Sequence, residues 1–161
     1  MIFIIMKLTD YLRPEYIEIG ITARSKGELL DRMIEIAARN PKVHNKAEVR
    51  NAILEREEIM STGIGHGCAV PHGKSNGVDD IVLAFGVTAE PVEYRSLDNN
   101  PVRLVMLMVR RESDTKLRLI LLSRASKILN SASARNAFLQ AKSRKEIMEI
   151  FRLEEEKIDR P

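Results

Sequence analysis

The sequence predicts a three-layer α/β/α domain in which a mixed β-sheet is flanked by helices. Two nearly continuous apolar runs, residues 81–87 and 102–109, have the composition of strands that are covered on both faces. Segments with helical spacing of apolar residues stand before and after this pair of strands. Because strands buried on both faces need a layer on each side, we expect helices to pack on both sides of the sheet.

The first elements follow from alternation and from capping residues. Residues 16–21 alternate apolar and polar side chains, as a strand does. The capping box Ser25-Lys26-Gly27-Glu28 starts a helix that is predicted to end at about residue 39. A second helix is predicted over residues 45–59, directly before a glycine-rich run.

The second half reads as a hairpin followed by helices. Residues 91–100 contain turn formers between the two apolar strands, which predicts a hairpin. Apolar residues at helical spacing predict a helix over 115–130. A capping box at 143–146 starts a last helix that is predicted to end at about Leu153, so the charged tail 154–161 is expected to fray.

Length and composition indicate one small domain spanning residues 1–161. Of these residues, 44% are apolar and 30% are charged, which is an ordinary globular balance. A net charge of +3, with 4% aromatic residues and no tryptophan, lacks the basic and aromatic interleaving that binds single-stranded nucleic acid. We therefore expect no nucleic-acid partner.

Three alternating glycines, Gly63, Gly65 and Gly67, lie in the strongest functional pattern, the run STGIGHGCAVPHGK at residues 61–74. Glycine allows positive φ values and leaves its backbone amide uncovered, so this backbone is a candidate cradle for a phosphate. A glycine-rich segment between two elements is also commonly only a turn. Both interpretations stay open.

His72 follows Pro71 near the end of this run. Pro71 fixes its own φ and favours an extended Val70, which predicts a short strand at 68–70 that delivers His72 at its end. Gly73 would then let the chain turn away. A neutral imidazole is a competent nucleophile near pH 7, and a phosphohistidine is the simplest product. The alternative is a purely structural histidine.

A metal site is the other hypothesis for this run. His66, Cys68 and His72 are candidate ligands, but spacings of two and four match no standard zinc pattern. Cys68 is the only cysteine, so no disulfide can form within the chain. Between Gly67 and Ala69, it is most simply a small buried apolar residue.

The run resembles the signature of a known family. Arg56 and Glu57, then STGIG at 61–65 and GCAVPHGK at 67–74, are similar to the type-2 enzyme IIA domain of the bacterial phosphoenolpyruvate-dependent phosphotransferase system. This is the fructose, mannitol and nitrogen-related class. The resemblance extends to residues 8–12, to the strand at 101–108 and to the helices within 119–151, which is nearly the whole chain.

The resemblance implies a histidine phosphoryl carrier. His72 would accept a phosphoryl group from phospho-HPr, and Arg56 would hold the phosphoryl oxygens. The hydroxyl of Ser61 or Thr62 and the backbone of Gly63, Gly65 and Gly67 would orient the group. The acceptor would be a sugar-specific enzyme IIB or a regulatory target protein, and no metal or bound cofactor is implied.

Arg118 marks a departure from the family pattern. The family commonly has a second active-site histidine at the start of the helix after the apolar strand, where an ungapped alignment places Arg118. Arginine can neutralise phosphoryl oxygens with a fixed fork of donors. If Asp114 or Thr115 caps this helix, Arg118 lies in its first turn. The alternative is one more charge on a solvated, basic face.

Three classes of function follow from the resemblance. The chain is a carrier for sugar transport, a regulatory module whose phosphorylation tunes its affinity for target proteins, or an interaction protein without the transfer chemistry. The sequence contains no permease or IIB segment, which favours the nitrogen-related type.

The hydrophobic N-terminus, MIFIIM, is too short for a signal peptide or a membrane span. We expect no direct membrane insertion and a cytoplasmic protein. Met6 opens the segment MKLTDYL, where the resemblance begins, and is therefore a second candidate for the start of translation. Residues 1–5 are predicted to be an extension without a functional role.

Overall fold

In a computed structural model, residues 6–161 fold around one β-sheet, and residues 1–5, with the predicted extension, lie outside the described residues. Two short 3-10 helices, Leu8–Asp10 and Pro14–Tyr16, come first. The strands are β1 (Ile17–Ile21), β2 (Gly63–Gly65), β3 (Cys68–Ala69), β4 (His72–Lys74), β5 (Val82–Val92) and β6 (Val102–Arg110). The α-helices are α1 (Lys26–Ala37), α2 (Lys46–Ile59), α3 (Thr115–Leu129), α4 (Ala132–Gln140) and α5 (Arg144–Asp159).

The strands form one mixed sheet. The order is β1-β5-β6-β3-β2, and β4 pairs with β6 farther along the same strand. β1 is parallel to β5, and β3 and β4 are both parallel to β6. β5 and β6 are antiparallel neighbours, which confirms the predicted hairpin between the two apolar runs.

Helices cover both faces of the sheet. On one face, α1 and α2 bury side chains such as Met33 and Ile53 against the sheet. On the other face, α3, α4 and α5 surround the aromatic rings of Phe85, Phe138 and Phe151, whose centroids lie 4.8–5.0 Å apart. The three-layer α/β/α arrangement predicted from the sequence is confirmed.

The predicted helix starts are confirmed by their caps. The side chains of Ser25, Asn45 and Ser143 each accept a hydrogen bond from the backbone N–H three residues later, at the starts of α1, α2 and α5. Each bond satisfies an N–H group that would otherwise lack a partner in the first turn.

α4 is a helix that the sequence did not predict separately. Its N-cap is Ser131, whose hydroxyl accepts a hydrogen bond from the N–H of Ala134. The helix has nine residues and buries Ala134 and Phe138. Because isolated helices of this length are marginal in water, packing of Phe138 in the core holds it rather than intrinsic propensity.

The predicted fraying of residues 154–161 is wrong, because α5 continues to Asp159. Glu155 is only 1% exposed. Its carboxylate accepts hydrogen bonds from the N–H of Leu8 at 2.8 Å and from Nε of Arg124 at 2.8 Å. Asp159 accepts two further bonds from the same guanidinium, at 2.7 and 2.9 Å. These bonds tie the charged tail to α3 and to the first 3-10 helix.

The first apolar strand is longer than the predicted 81–87. β5 runs to Val92 and includes Pro91. The pairing of β5 with β6 shifts register between Val87 and Val92. Pro91 lies within this irregular stretch, where a proline is tolerated because the regular ladder of hydrogen bonds is interrupted.

In the part of the chain that the structure describes, no helix has the length and apolar character needed to cross a membrane.

Candidate functional site

His72 is the first residue of β4, which runs parallel to β6 with His72 opposite Met108. The predicted strand at 68–70 is shorter than expected, since β3 covers Cys68–Ala69 and the chain resumes pairing only after Pro71. Gly73 does not turn the chain away, as was predicted, because it lies inside β4. The strand that presents His72 therefore begins with this residue.

Gly73 allows α2 to pack directly on β4. A Cβ atom at this position would lie 3.2 Å from both the carbonyl carbon and the carbonyl oxygen of Ala52, closer than ordinary van der Waals contact. Arg56 lies one helical turn after Ala52 and therefore on the same side of α2. The close contact at Gly73 thus brings Arg56 beside His72.

His72 lines an open pocket of about 480 Å³ where α2, β4, the end of β6 and the start of α3 meet. The other lining residues are Ala52, Glu55, Arg56, Ile59, Gly73, Lys74, Arg110 and Arg118. Of the predicted site residues, the structure brings His72, Arg56 and Arg118 together. Four basic side chains and one carboxylate line this pocket, so it is strongly positive.

The imidazole of His72 is held in one tautomer. Its Nδ1 lies 2.8 Å from the carbonyl oxygen of Val70. Because a carbonyl oxygen can only accept a hydrogen bond, Nδ1 carries the proton. Nε2 therefore keeps its lone pair and is the ring nitrogen that is able to act as a nucleophile.

The pKa of His72 is lowered. Burial is the largest cause, and the positive charges of Arg56 and Arg118 lower the pKa further. These effects outweigh the hydrogen bond to Val70 and the negative charge of Glu57, which act in the opposite direction. The ring is therefore neutral, and able to act as a nucleophile, at neutral pH.

The two predicted arginines lie at helix ends. Arg56 is in the last turn of α2, and its Nη1 donates a hydrogen bond to the carbonyl of Met60 at 2.8 Å. Arg118 is in the first turn of α3, whose N-cap is Asp114, and its backbone N–H bonds to the Asp114 carbonyl at 3.0 Å. The predicted position of Arg118 in the helix is confirmed, while the roles of both side chains stay predictions.

The residues of the predicted phosphate cradle lie in and next to β2. In the described chain, Ser61, Thr62, Gly63, Gly65 and Gly67 are not among the residues that line the His72 pocket. β2 and β3 form an antiparallel hairpin in which Gly65 and Gly67 have φ values of 100° and 78°. The turn explains these two glycines, and their contact with phosphate remains an untested prediction.

Glu57 organises a buried polar network that the sequence did not reveal. Its carboxylate accepts hydrogen bonds from the Thr62 N–H at 3.0 Å and the Thr62 hydroxyl at 2.6 Å. Nζ of Lys26 forms an ion pair with it at 2.9 Å. Since the Thr62 proton points to Glu57, the Tyr94 hydroxyl, 3.0 Å away, donates to Thr62. Lys26 and Tyr94 are distant in sequence, so no local pattern indicates their contact with Glu57.

Cys68 is fully buried, as predicted for a small apolar residue, and burial raises the pKa of its thiol to about 11. Within residues 6–161, no group of three or more His, Cys, Asp or Glu side chains is placed to hold a metal ion.

Comparison with known proteins places this geometry in a family. The model described as "Phosphoenolpyruvate-dependent sugar phosphotransferase system, EIIA 2" matches residues 10–153. The chain belongs to this EIIA family. The resemblance noted in the sequence is thereby confirmed over nearly the whole chain.

Relatives of this EIIA chain include a sugar phosphotransferase component and a nitrogen regulatory protein. It is 34% identical over 146 residues to the PTS system fructose-specific EIIABC component of Bacillus subtilis. This match covers 91% of the chain and 23% of that protein. It is 32% identical over 149 residues to the nitrogen regulatory protein of Klebsiella oxytoca. This match covers 91% of the chain and 90% of that protein. The chain thus spans under a quarter of the first relative and most of the second.

Solved structures share the fold of the EIIA chain. The nitrogen regulatory protein IIA-Ntr of Neisseria meningitidis has a TM-score of 0.84 and 28% identity, over 89% of this chain and 98% of that one. The mannitol IIA of Escherichia coli has a TM-score of 0.75 and 24% identity, over 87% and 98% of the two chains. At this lower identity, the second likeness concerns the fold alone.

Proposed function

We propose that the protein is a histidine phosphoryl carrier of the phosphoenolpyruvate-dependent phosphotransferase system, with His72 as the acceptor. The observation that carries the proposal is a neutral imidazole of fixed tautomer in a pocket lined by basic side chains. The donor would be phospho-HPr, and the protein would work in the cytoplasm.

In the transfer step, Nε2 of His72 attacks the phosphorus of the donor in line. A bond between Nε2 and phosphorus forms while the bond from phosphorus to the donor breaks, and that electron pair stays with the donor. His72 becomes positively charged as it attacks, and the Val70 carbonyl accepts the hydrogen bond of its Nδ1–H. Arg56 and Arg118 would neutralise the equatorial oxygens, the main demand of phosphoryl transfer.

Two uses of the phosphoryl group are supported by relatives. One solved neighbour is a complex of enzyme IIAMtl with phosphorylated enzyme IIBMtl from Escherichia coli, which supports an enzyme IIB as acceptor. The nitrogen regulatory relatives, which match over most of their length, support the second candidate, a regulatory module. There the added charge of a phosphate would change affinity for target proteins.

Intact-mass measurement tests the carrier chemistry. The purified chain is incubated with phosphoenolpyruvate, enzyme I and HPr, and wild type is compared with His72→Ala. We expect one acid-labile phosphate on wild type and none on His72→Ala. The matched variants His44→Ala and His66→Ala should be phosphorylated like wild type. A wild-type chain that stays unmodified beside charged HPr, or a phosphorylated His72→Ala chain, contradicts the proposal.

A further inference from the structure

Arg110 is a member of the His72 pocket that sequence patterns did not single out. It ends β6 opposite Lys74 of β4 and is only 7% exposed. Its Nη1 donates to the carbonyl oxygens of Arg111 at 2.9 Å and Glu112 at 3.0 Å, which fixes the guanidinium at the pocket wall.

The guanidinium groups of Arg110 and Arg118 at this pocket keep donors without an acceptor. Nε of Arg110 and Nε of Arg118 are both buried and have no hydrogen-bond partner among the described residues. Both arginines line the same pocket, one from the end of β6 and one from the first turn of α3. Because these two Nε atoms are shielded from solvent, the donors that can meet a ligand are Nη2 of Arg110 and the two Nη atoms of Arg118, which are not buried and form no hydrogen bond among the described residues. Unpaired charged donors of two arginines beside one cavity indicate a ligand that accepts hydrogen bonds.

The charges of these arginines are also uncompensated. In residues 6–161, Arg56, Arg110 and Arg118 form no ion pair with a carboxylate within 4.0 Å, while Lys74 pairs with Glu112 at 3.2 Å. Burial lowers the pKa of Arg110, and the charge of Arg118 lowers it further, against the opposing charges of Asp114 and Glu112. Arginine does not deprotonate in proteins, so this repulsion persists until an anion binds.

We propose that Arg110 and Arg118 form a paired-guanidinium site that binds free inorganic phosphate in the pocket of unphosphorylated His72. A phosphate dianion presents several oxygens, which can accept from the free Nη–H groups of both arginines while its charge compensates the two cations. Binding does not require that His72 be phosphorylated. A consequence that rests on the proposed function is that free phosphate competes with transfer from phospho-HPr.

Titration with inorganic phosphate at constant ionic strength tests the site. NMR signals of the arginine Nε–H groups are followed in the unphosphorylated full chain, and calorimetry gives the Kd. We expect the signals of Arg110 and Arg118 to shift together along one saturable curve. Arg110→Gln and Arg118→Gln should each weaken binding about tenfold or more, because each removes charge-assisted hydrogen bonds to the anion.

Arg103→Gln is the matched control. Arg103 lies on the same strand and also has a buried Nε without a partner, but it lines a different pocket and donates to the Thr88 carbonyl at 2.8 Å. This variant loses the same charge, and its Kd should equal that of wild type. Equal weakening by Arg103→Gln would mean that net charge alone is measured, and it would overturn the proposal.

Absence of a saturable shift in wild type, or an unchanged Kd in both pocket variants, would also overturn it. If Arg110→Gln does not fold, as judged by circular dichroism, Arg118→Gln decides, because that side chain is more exposed. His72→Ala separates the two proposals, since it should bind phosphate while accepting no phosphoryl group. A wild type that binds phosphate but is never phosphorylated would refute the carrier function and leave this site intact.

Discussion

At the scale of single residues, the site combines one neutral base with side chains that keep their charge. Burial affects His72 and Arg110 alike, since it disfavours the charged form of both. Only the histidine has an ordinary pKa near neutrality, so only its protonation changes in the physiological range. The same pocket can therefore supply a nucleophile and permanent cations.

Arg118→Gln should raise the pKa of His72. The charge of Arg118 is one of the causes that lower this pKa, so its removal makes protonation of the ring easier. Because the neutral ring is the proposed nucleophile, the acid limb of the rate of phosphate acceptance should move to higher pH. NMR titration of the His72 ring and a pH profile of transfer measure both effects.

The matched control is again Arg103→Gln, in which the His72 titration should match that of wild type. If the His72 pKa in Arg118→Gln is unchanged or lower, the assigned electrostatic contact between the two side chains is wrong.

At the scale of elements, local capping residues determine where helices start, whereas tertiary contacts determine where α5 ends. The starts of α1, α2 and α5 were predictable because each depends on a capping side chain three residues from its partner. The end of α5 was not, because it depends on Glu155 meeting α3 and the first 3-10 helix. From the sequence alone, a run of charged residues is interpreted as a solvated tail, because the partners of these charges are not visible in the sequence.

Glu155→Gln should destabilise the fold by about 1–3 kcal/mol, because it weakens the hydrogen bonds that the buried carboxylate accepts from Arg124 and from the Leu8 N–H, while Asp159 still pairs with Arg124. Glu156→Gln, one position later, is the control. Glu156 pairs with Arg152 on the exposed side of α5, so this change should have a much smaller effect on the free energy of unfolding. Urea unfolding gives both free energies, and equal values would show that Glu155 is not a structural anchor.

At the scale of the whole molecule, the mixed sheet collects the site from separate parts of the chain. Parallel pairing of β4 with β6 brings His72 close to Arg110, and α2 and α3 supply Arg56 and Arg118 at their ends. The network of Glu57, Thr62, Tyr94 and Lys26 then joins α1, α2, the glycine run and the segment after β5. Placement of the arginines therefore depends on the complete tertiary structure.

The stability of this network should depend on pH. Burial alone would raise the pKa of Glu57, but the hydrogen bonds from Thr62 and Lys26 outweigh it and hold the pKa below the usual value of a glutamate. A carboxylate with a lowered folded-state pKa stabilises the protein fully above its unfolded pKa, and this contribution is lost as the pH falls through the folded-state value.

Glu57→Gln should therefore cost about 1–3 kcal/mol at pH 7, and the difference from wild type should shrink as the pH falls below about 4.5. Urea unfolding at several pH values measures this difference. Glu58→Gln, on the neighbouring exposed position, is the control and should follow wild type throughout. A difference that stays constant down to pH 3 would contradict the assigned role of the Glu57 carboxylate.

The sequence was sufficient for the layers, the hairpin of apolar strands and three of the residues that meet at the pocket. It could not place Arg110, which ends an apolar strand and has no motif of its own. It also could not separate a phosphate cradle from a turn at Gly65 and Gly67, because both uses require the same backbone freedom. Each of these answers depends on which elements lie side by side.

The close contact between Gly73 and Ala52 fixes the distance between β4 and α2 at the His72 pocket. Backbone atoms, rather than side chains, set the separation of α2 from β4 at this point. Main-chain atoms within helices and strands have no side-chain rotamers to exchange. The distance between α2 and β4 therefore does not vary as it would if long side chains, which populate several rotamers on heating, separated the two elements. The Arg56 backbone should consequently keep its distance from the His72 backbone over a wide range of temperature, even while the surface side chains around them become more mobile.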